Sequence, residues 1–482
     1  MASTPLLVVE KGSKQHKLWQ SVGVVYVVAL VLLVPVVLEP FEISKMNRAL
    51  TLSVAILAVN LVVGFNGMLA LGHSAFMGLG AFVTASLIQD ENMDYWYIIP
   101  IILIVGFVFG VILGLPALRV KGLYLALTTI AMAVVFPSLV NIEQLGIAKR
   151  TGGPNGKVVS ETVDAPSYME WLPGVDGARG DRAYRYWMIV VVVALTMLVI
   201  RNYIRSRPGR AVIAIRDHEA GAAVYGVNLP MYKTVNFAIS ASLGALAGLL
   251  WSMDKSFVAG QDFTFLLAID LIIGLVIGGV GTLQGSLVGG LFVVWVRDLT
   301  KRISIPLGFY DLSGEGPLAN AIFGLILILF TFFAPGGIVS LGRLVQSKLI
   351  RVIPLRPDGE PIQPLADLDP GPESTRAQVA MNLAIIGAVL LPLGWLAMNI
   401  DNLIVGVFAF ALRFQILITM PIALIVGINE LQAHKEGKRS DSMVGQANVA
   451  RILGGIGTVF LVLFGFFHFV DQYATGFDLP IV

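Results

Sequence analysis

Long apolar runs decide what this chain can fold into. They recur at 18–38, 49–63, 68–88, 96–115, 123–140, 186–204, 234–253, 265–280, 286–296, 318–334, 379–398, 403–426 and 452–469. A hydrocarbon core of about 30 Å needs roughly 20 helical residues at a rise of about 1.5 Å each. The runs therefore predict membrane spans, and a lipid-facing backbone satisfies its own polar groups as a helix. Charge agrees with this. Only 13% of the 482 residues are Asp, Glu, Lys or Arg, against about 25% in a soluble domain. The expected fold class is an all-α polytopic membrane protein, with about ten core segments and about three extra C-terminal ones at this span length.

The polar breaks between runs set the organisation. Residues 1–48 read as a polar N-terminus, with Lys11, Lys14 and Lys17, and a first helix retained rather than cleaved as a signal. Residues 49–342 form the core, 343–376 a Pro-rich linker, and 377–482 a C-terminal membrane extension. Basic residues in short loops mark the cytoplasmic side. An N-terminus inside places Arg119, Lys121, residues 205–216, the linker and Lys435–Arg439 inside as well. It leaves Asp90, Glu91 and the loop 141–185 outside. The chain has no cysteine, which excludes disulfides, thiol catalysis and thiolate metal sites. A net charge of +2 spread over short loops offers no nucleic-acid surface; the partner by composition is the lipid bilayer.

Two Gly-rich segments resemble each other, at 60–82 and 277–292. Each reads as an apolar helix, a glycine break, then small residues every fourth position. Ala70, Ser74 and Gly78 are expected on one helical face, and so are Gly281, Gly285 and Gly289. Small residues at that spacing let helices approach closely, and breaks at corresponding places of an internal repeat point to a transport path. The path candidates are Asn60, Gly64, Gly67, Gly72, His73, Ser74, Asp270, Gly281, Gln284 and Gly285. For Gly106, Gly110 and Gly114, helix packing alone is expected. His73 is read as a satisfied core histidine. Asn60 and Gln284 are expected to hydrogen-bond across helices and hold the breaks. Asp270 stands between two readings, the path and the outer interface.

The stretch 201–233 interrupts the runs with Arg201, Arg205, Arg207, Arg210, Arg216, Asp217 and Glu219. Pro208 suits a first helical position, Asp217 a cap for a second helix, and Gly226 a left-handed end. Two short helices joined near 216–218 are predicted.

The order from Arg216 to Gly226 resembles the cytoplasmic coupling segment of the branched-chain amino acid permeases of ATP-binding-cassette importers. The first Gly-rich segment, 121–129, Thr151–Gly156, the 270–285 run and 333–337 follow in that family's order. The resemblance covers roughly 49–342 and does not reach the extension. It implies that Arg210, Arg216, Asp217, Glu219, Ala220, Ala222, Tyr225 and Gly226 couple the chain to an ATPase. It implies a second homologous permease, two ATP-binding subunits and an extracytoplasmic binding protein as partners. It implies a bacterial inner membrane location, no enzyme activity, and no cofactor, ATP being bound by the partners. Residues 151–158 come near a phosphate loop, but Thr151 replaces its first glycine and Val158 its hydroxyl residue. Urea or another short amide is the alternative cargo. A stand-alone channel or ion-coupled carrier is the alternative class; it would need more ionisable groups in its spans.

Overall fold

The computed structural model describes residues 7–10, 38–117, 123–143, 146–159, 172–175, 180–255, 257–302, 304–307, 310–313, 336–340 and 350–353, with isolated positions in 21–36 and at 324. The expected spans at 318–334, 379–398, 403–426 and 452–469, nearly all of 18–38, and most of the linker lie outside the described residues. The chain forms two compact units, Val27–Arg343 and Met1–Tyr26 with Leu344–Val482. In the second, β1 (Leu7–Glu10) pairs in parallel with a strand at Ile350–Ile353.

The first unit is a helical bundle. Its helices are α1 (Pro40–Val63), α2 (His73–Glu91), α3 (Tyr95–Ala117), α4 (Leu123–Leu139), α5 (Ile147–Thr151), α6 (Gly180–Arg205), α7 (Arg207–Asp217), α8 (Glu219–Val224), α9 (Leu229–Asp254), α10 (Phe265–Gly278) and α11 (Leu283–Arg302). Eight of them carry the expected spans between residues 49 and 296. Four helices, α1, α3, α6 and α9, are long and apolar enough to cross a membrane; α4 and α10 are shorter apolar helices. At about 1.5 Å per residue the 14 residues of α10 span about 21 Å, less than the bilayer core. Two short antiparallel pairs join the helices: β2 (Lys157–Val158) with β3 (Phe257–Val258), and β4 (Ser304–Leu307) with β5 (Tyr310–Ser313).

Helices α1 and α9 are the centre: 78% and 89% of their apolar windows are buried, against 28% and 33% for α3 and α6. The reason lies in α9, whose middle is Ser240, Ala241, Ser242, Gly244, Ala245, Ala247 and Gly248. Lipid gives no hydrophobic push between helices, so close packing holds them. A Cβ at Gly80 of α2 would collide with the Ala245 carbonyl, and one at Gly248 with the Met77 carbonyl. Gly106 and Gly110 bring α3 onto Ser242 and Ala238 in the same way, the packing role expected of that row. Asn228 caps α9, its side chain accepting from the Met231 N–H at 3.2 Å.

Both breaks differ from the expected faces. The chain leaves α1 at Gly64 and runs non-helically until His73, so Ala70 shares no helical face with Ser74 and Gly78. The Thr129 hydroxyl accepts the Leu71 N–H at 2.9 Å, and Gly72 lies against the Thr129 carbonyl. Gly281 likewise precedes α11, at φ +71°; only Gly285 and Gly289 face α10, against Gly278 and Gly274. The 279–282 break is thus a full antiparallel turn.

The near phosphate loop is a tight turn. Gly152, Gly153 and Gly156 take positive φ, and Lys157 ion-pairs with Asp90 at 2.7 Å. Gly248→Leu should wreck the α2–α9 contact. Overpacking costs about 1–3 kcal/mol or more, read as a fall in the thermal stability of the detergent-solubilised chain. An unchanged melting curve would place that face in lipid.

Candidate functional site

The stretch 201–233 does form two short helices. Ser206 caps α7 by accepting the Gly209 N–H at 3.4 Å, with Pro208 at the second helical position rather than the first. Gly209 presses on Ile204 with no room for a Cβ, so α7 folds back tightly on α6. Val212 and Ile215 are buried beneath it. His218, not Asp217, caps α8: its backbone is extended, and its Nδ1 accepts the Gly221 N–H at 2.9 Å. The carboxylate of Asp217 is held instead by Arg216, at 2.8–2.9 Å. Gly226 ends the unit at φ +81°, and Val227 N–H donates to Ala222 O at 3.1 Å. Glu219 pairs with Lys233 of α9 at 2.6 Å. Arg210 donates to the Arg205 carbonyl at 2.8 Å. The segment is therefore a rigid cap fixed to α6 and α9.

Its surface is unusual for a polar turn. Tyr225 is 91% and Val224 85% exposed. Ala220 is exposed beside them, while Ala222 is buried and anchors the unit.

The two glycine breaks, far apart in sequence, meet in space. Asn60 is fully buried at the end of α1. Its Oδ1 accepts the Gly281 N–H at 2.9 Å. Its Nδ2 donates to Thr282 O at 2.9 Å and to Ser286 Oγ at 3.1 Å. Gly64 lies so close to the Gly281 nitrogen that a Cβ would not fit. Gly337, at φ +74°, packs its backbone on Gly279. Arg216 joins this junction from the end of α7. Its Nη1 donates to the Gly64 carbonyl at 3.0 Å, its stem lies over Gly67, and Nη1 lies beside Gly281.

Other candidates fall elsewhere. Gln284 is exposed and makes no bond across the breaks among the described residues; Thr282 does the local work, accepting Gly285 N–H at 3.1 Å and donating to Gly279 O at 2.8 Å. His73 is buried, 2.6 Å from Ser240 Oγ, and Ser240 in turn donates to Ala58 O; it ties α2 and α9 to α1. The Ser74 hydroxyl is buried with no partner among the described residues. Asp270 is not at this junction. It is buried near the opposite end of the bundle, paired with Arg297 at 2.6 Å. Reasoning from sequence missed Asn66, whose amide is buried in the first break without a hydrogen bond among the described residues.

This arrangement, two packed breaks wired to a capped helix pair, sits inside residues 43–331 apart from Gly337. That same range matches the family model for the branched-chain amino acid transport system permease component. The chain belongs to this family. It is the permease component of a transport system, a multi-pass membrane protein and not an enzyme. It is 27% identical over 333 residues to the high-affinity branched-chain amino acid transport system permease protein LivM of Salmonella typhimurium, covering 65% of this chain and 75% of that one. With LivH of the same species it shares 23% over 333 residues, 64% of this chain and 98% of that one. With the ribose import permease protein RbsC of Haemophilus influenzae it shares 22% over 269 residues, 54% and 75%. No solved structure matches the chain.

In this permease Asn60→Leu should strip the junction of three hydrogen bonds. Buried backbone groups left without partners cost about 1–3 kcal/mol each, so melting temperature and uptake per inserted molecule should both fall. Gln284→Ala, on an exposed side chain, should leave the melting temperature unchanged. The reverse ranking of the two variants would remove Asn60 from the junction.

Proposed function

We propose that this chain is one half of the pore of an ATP-driven importer of amino acids, branched-chain ones foremost, in a bacterial inner membrane. The observation that carries the reading is the Arg216 hydrogen bond to Gly64 O, which runs from the coupling helices into the glycine breaks. On this reading the N-terminus and α7–α8 face the cytoplasm. Tyr225 and Val224 seat in a groove of an ATP-binding subunit, with Arg210, Asp217, Glu219 and Ala220 around them. Ala222 and Gly226 hold the shape of the cap.

Two ATP-binding subunits supply the energy, so this chain needs no cofactor. A second, homologous permease completes the pore, and an extracytoplasmic binding protein delivers the cargo. The names of the LivM and LivH relatives support amino acids. Identity to the ribose permease is lower, which favours amino acids over sugars. Movement of the ATPases reaches α7 and α8 as a rigid push, because both are capped and tied to longer helices. Arg216 passes it to Gly64, and Asn60 passes it across to Gly281 and Thr282. The breaks are the points where the backbone is free to respond.

The test is reconstitution with the partner subunits in proteoliposomes. ATP-dependent leucine uptake is expected; uptake of urea or ribose without leucine would overturn the cargo. Arg216→Gln should insert normally and retain the ATPase subunits. A hydrogen bond to a charged group contributes about 1.5–3 kcal/mol, so its loss should slow uptake by roughly tenfold to a hundredfold, with ATP hydrolysis continuing uncoupled. Uptake equal to wild type would show that the push travels by another route. Glu219→Lys should break the pair with Lys233. Exposed pairs of this kind contribute about 0–1 kcal/mol, so insertion should persist while copurification of the ATPases weakens.

A further inference from the structure

The bundle end opposite the coupling helices holds a cavity of about 300 Å³. Sixteen residues of α1 separate its Arg48 from Gly64, about 24 Å along the helix. One wall is apolar: Leu52, Leu267, Val293 and Val294 line it and are buried. The rest is charged, with both signs present.

Most of those charges are matched. Lys45 pairs with Glu42 and Asp298 at 2.8 Å. Asp270 pairs with Arg297 at 2.6 Å, and Lys255 with Asp262 at 3.2 Å. Two groups make no close ion pair. Arg48 lies with its guanidinium 4.9 Å above the Trp251 ring; Asp254, Asp262 and Asp270 act on it electrostatically, but among the described residues none is within 4.0 Å of it as an ion pair. Asp254, one helical turn beyond Trp251, accepts from Asn47 at 3.1 Å; Arg48, Arg185 and Lys255 act on it electrostatically, but among the described residues none is within 4.0 Å of it as an ion pair. Arg48 and Asp254 line the same cavity and attract one another without direct contact, which leaves room for a group between them. Ionisable groups near membrane depth are candidates for function, and these two keep their hydrogen-bonding faces free of a close counter-ion.

We propose that this cavity is a docking site for a free α-amino acid with an apolar side chain. The carboxylate is taken by Arg48, whose planar fork suits a carboxylate. The ammonium is taken by Asp254, and the alkyl group lies on Leu52, Leu267, Val293 and Val294. The volume is at the small end of the range for ligand sites, about 300–1,000 Å³, as a single amino acid requires. The inference rests on the importer reading above. There it names the first station of the cargo on the permease, at the extracytoplasmic mouth. Such a station binds weakly, because the cargo must also leave.

The experiment uses the full chain with its partner subunits in lipid nanodiscs, without ATP or binding protein. Binding is followed by saturation-transfer NMR with three probes: L-leucine, 4-methylpentanoate (no ammonium) and 3-methylbutylamine (no carboxylate). Leucine should bind saturably, and each analogue on the order of tenfold more weakly, since a charge-assisted bond is lost. Arg48→Gln should weaken leucine and 4-methylpentanoate while leaving 3-methylbutylamine unchanged. Asp254→Asn should weaken leucine and 3-methylbutylamine while leaving 4-methylpentanoate unchanged. That crossed pattern is one that misfolding does not produce. Equal losses for all three probes, or no loss in either variant, would overturn the site. A phosphatidylethanolamine headgroup carries the same zwitterionic chemistry. If glycerophosphoethanolamine binds more tightly than leucine, and leucine binding vanishes in discs containing that lipid, the cavity belongs to lipid and the amino-acid assignment falls. Leucine uptake by proteoliposomes separates the two readings. Uptake without binding at the cavity sinks the site alone. Crossed binding without uptake supports the site and sinks the importer reading.

Discussion

A backbone inside lipid has no water to turn to, and every N–H and C=O there needs a partner within the protein. Among the described residues, this permease opens its helical ladders after Val63 and after Gly278, where the two breaks meet. It meets the demand by letting one break complete the other. A single amide, Asn60, serves Gly281 and Thr282 across more than 200 residues of sequence. The glycines are there for room as much as for freedom: with any side chain at Gly64 the two breaks would part. The central position of α1 follows, since the helix carrying Asn60 must touch α9, α11 and α10 at once.

The second dependence runs through Arg216. An arginine at the end of a surface helix usually spends its charge on solvent or a neighbouring acid. Here it does both that and more, holding Asp217 and the Gly64 carbonyl together. The carbonyl it holds is close to the end of α1, where last-turn carbonyls lack intrahelical donors. A cation at a helix C-terminus is also favoured by the dipole. Local stability and the link between the α7–α8 pair and the breaks therefore use the same bond.

Much of this was legible in the residues. The apolar runs located the eight longer apolar helices between 40 and 302, but not all their ends: α1 begins at Pro40 where the run began at 49, and α11 continues to Arg302 where the run stopped at 296. Arg201–Gly226 announced two capped turns, and Gly106, Gly110 and Gly114 announced a packing row. What the sequence hid were choices made by distant partners. Ala70 looks helical until Thr129, in another helix, takes the Leu71 N–H. Gly281 looks like the first of a helical row until Asn60 claims its nitrogen. Asp217 looks like the cap until Arg216 occupies it and His218, with extended backbone, takes over. Asp270 gave no sign of Arg297, 27 residues on.

Tyr225 and Val224 have one more consequence. On the reading that an ATP-binding subunit covers them, they are bare only on a copy that has not found its partner. Exposed apolar side chains of this kind are what chaperones and proteases seize. The same two residues would then act as a tally of assembly, condemning surplus chains and keeping membrane subunits in proportion to the motors that drive them.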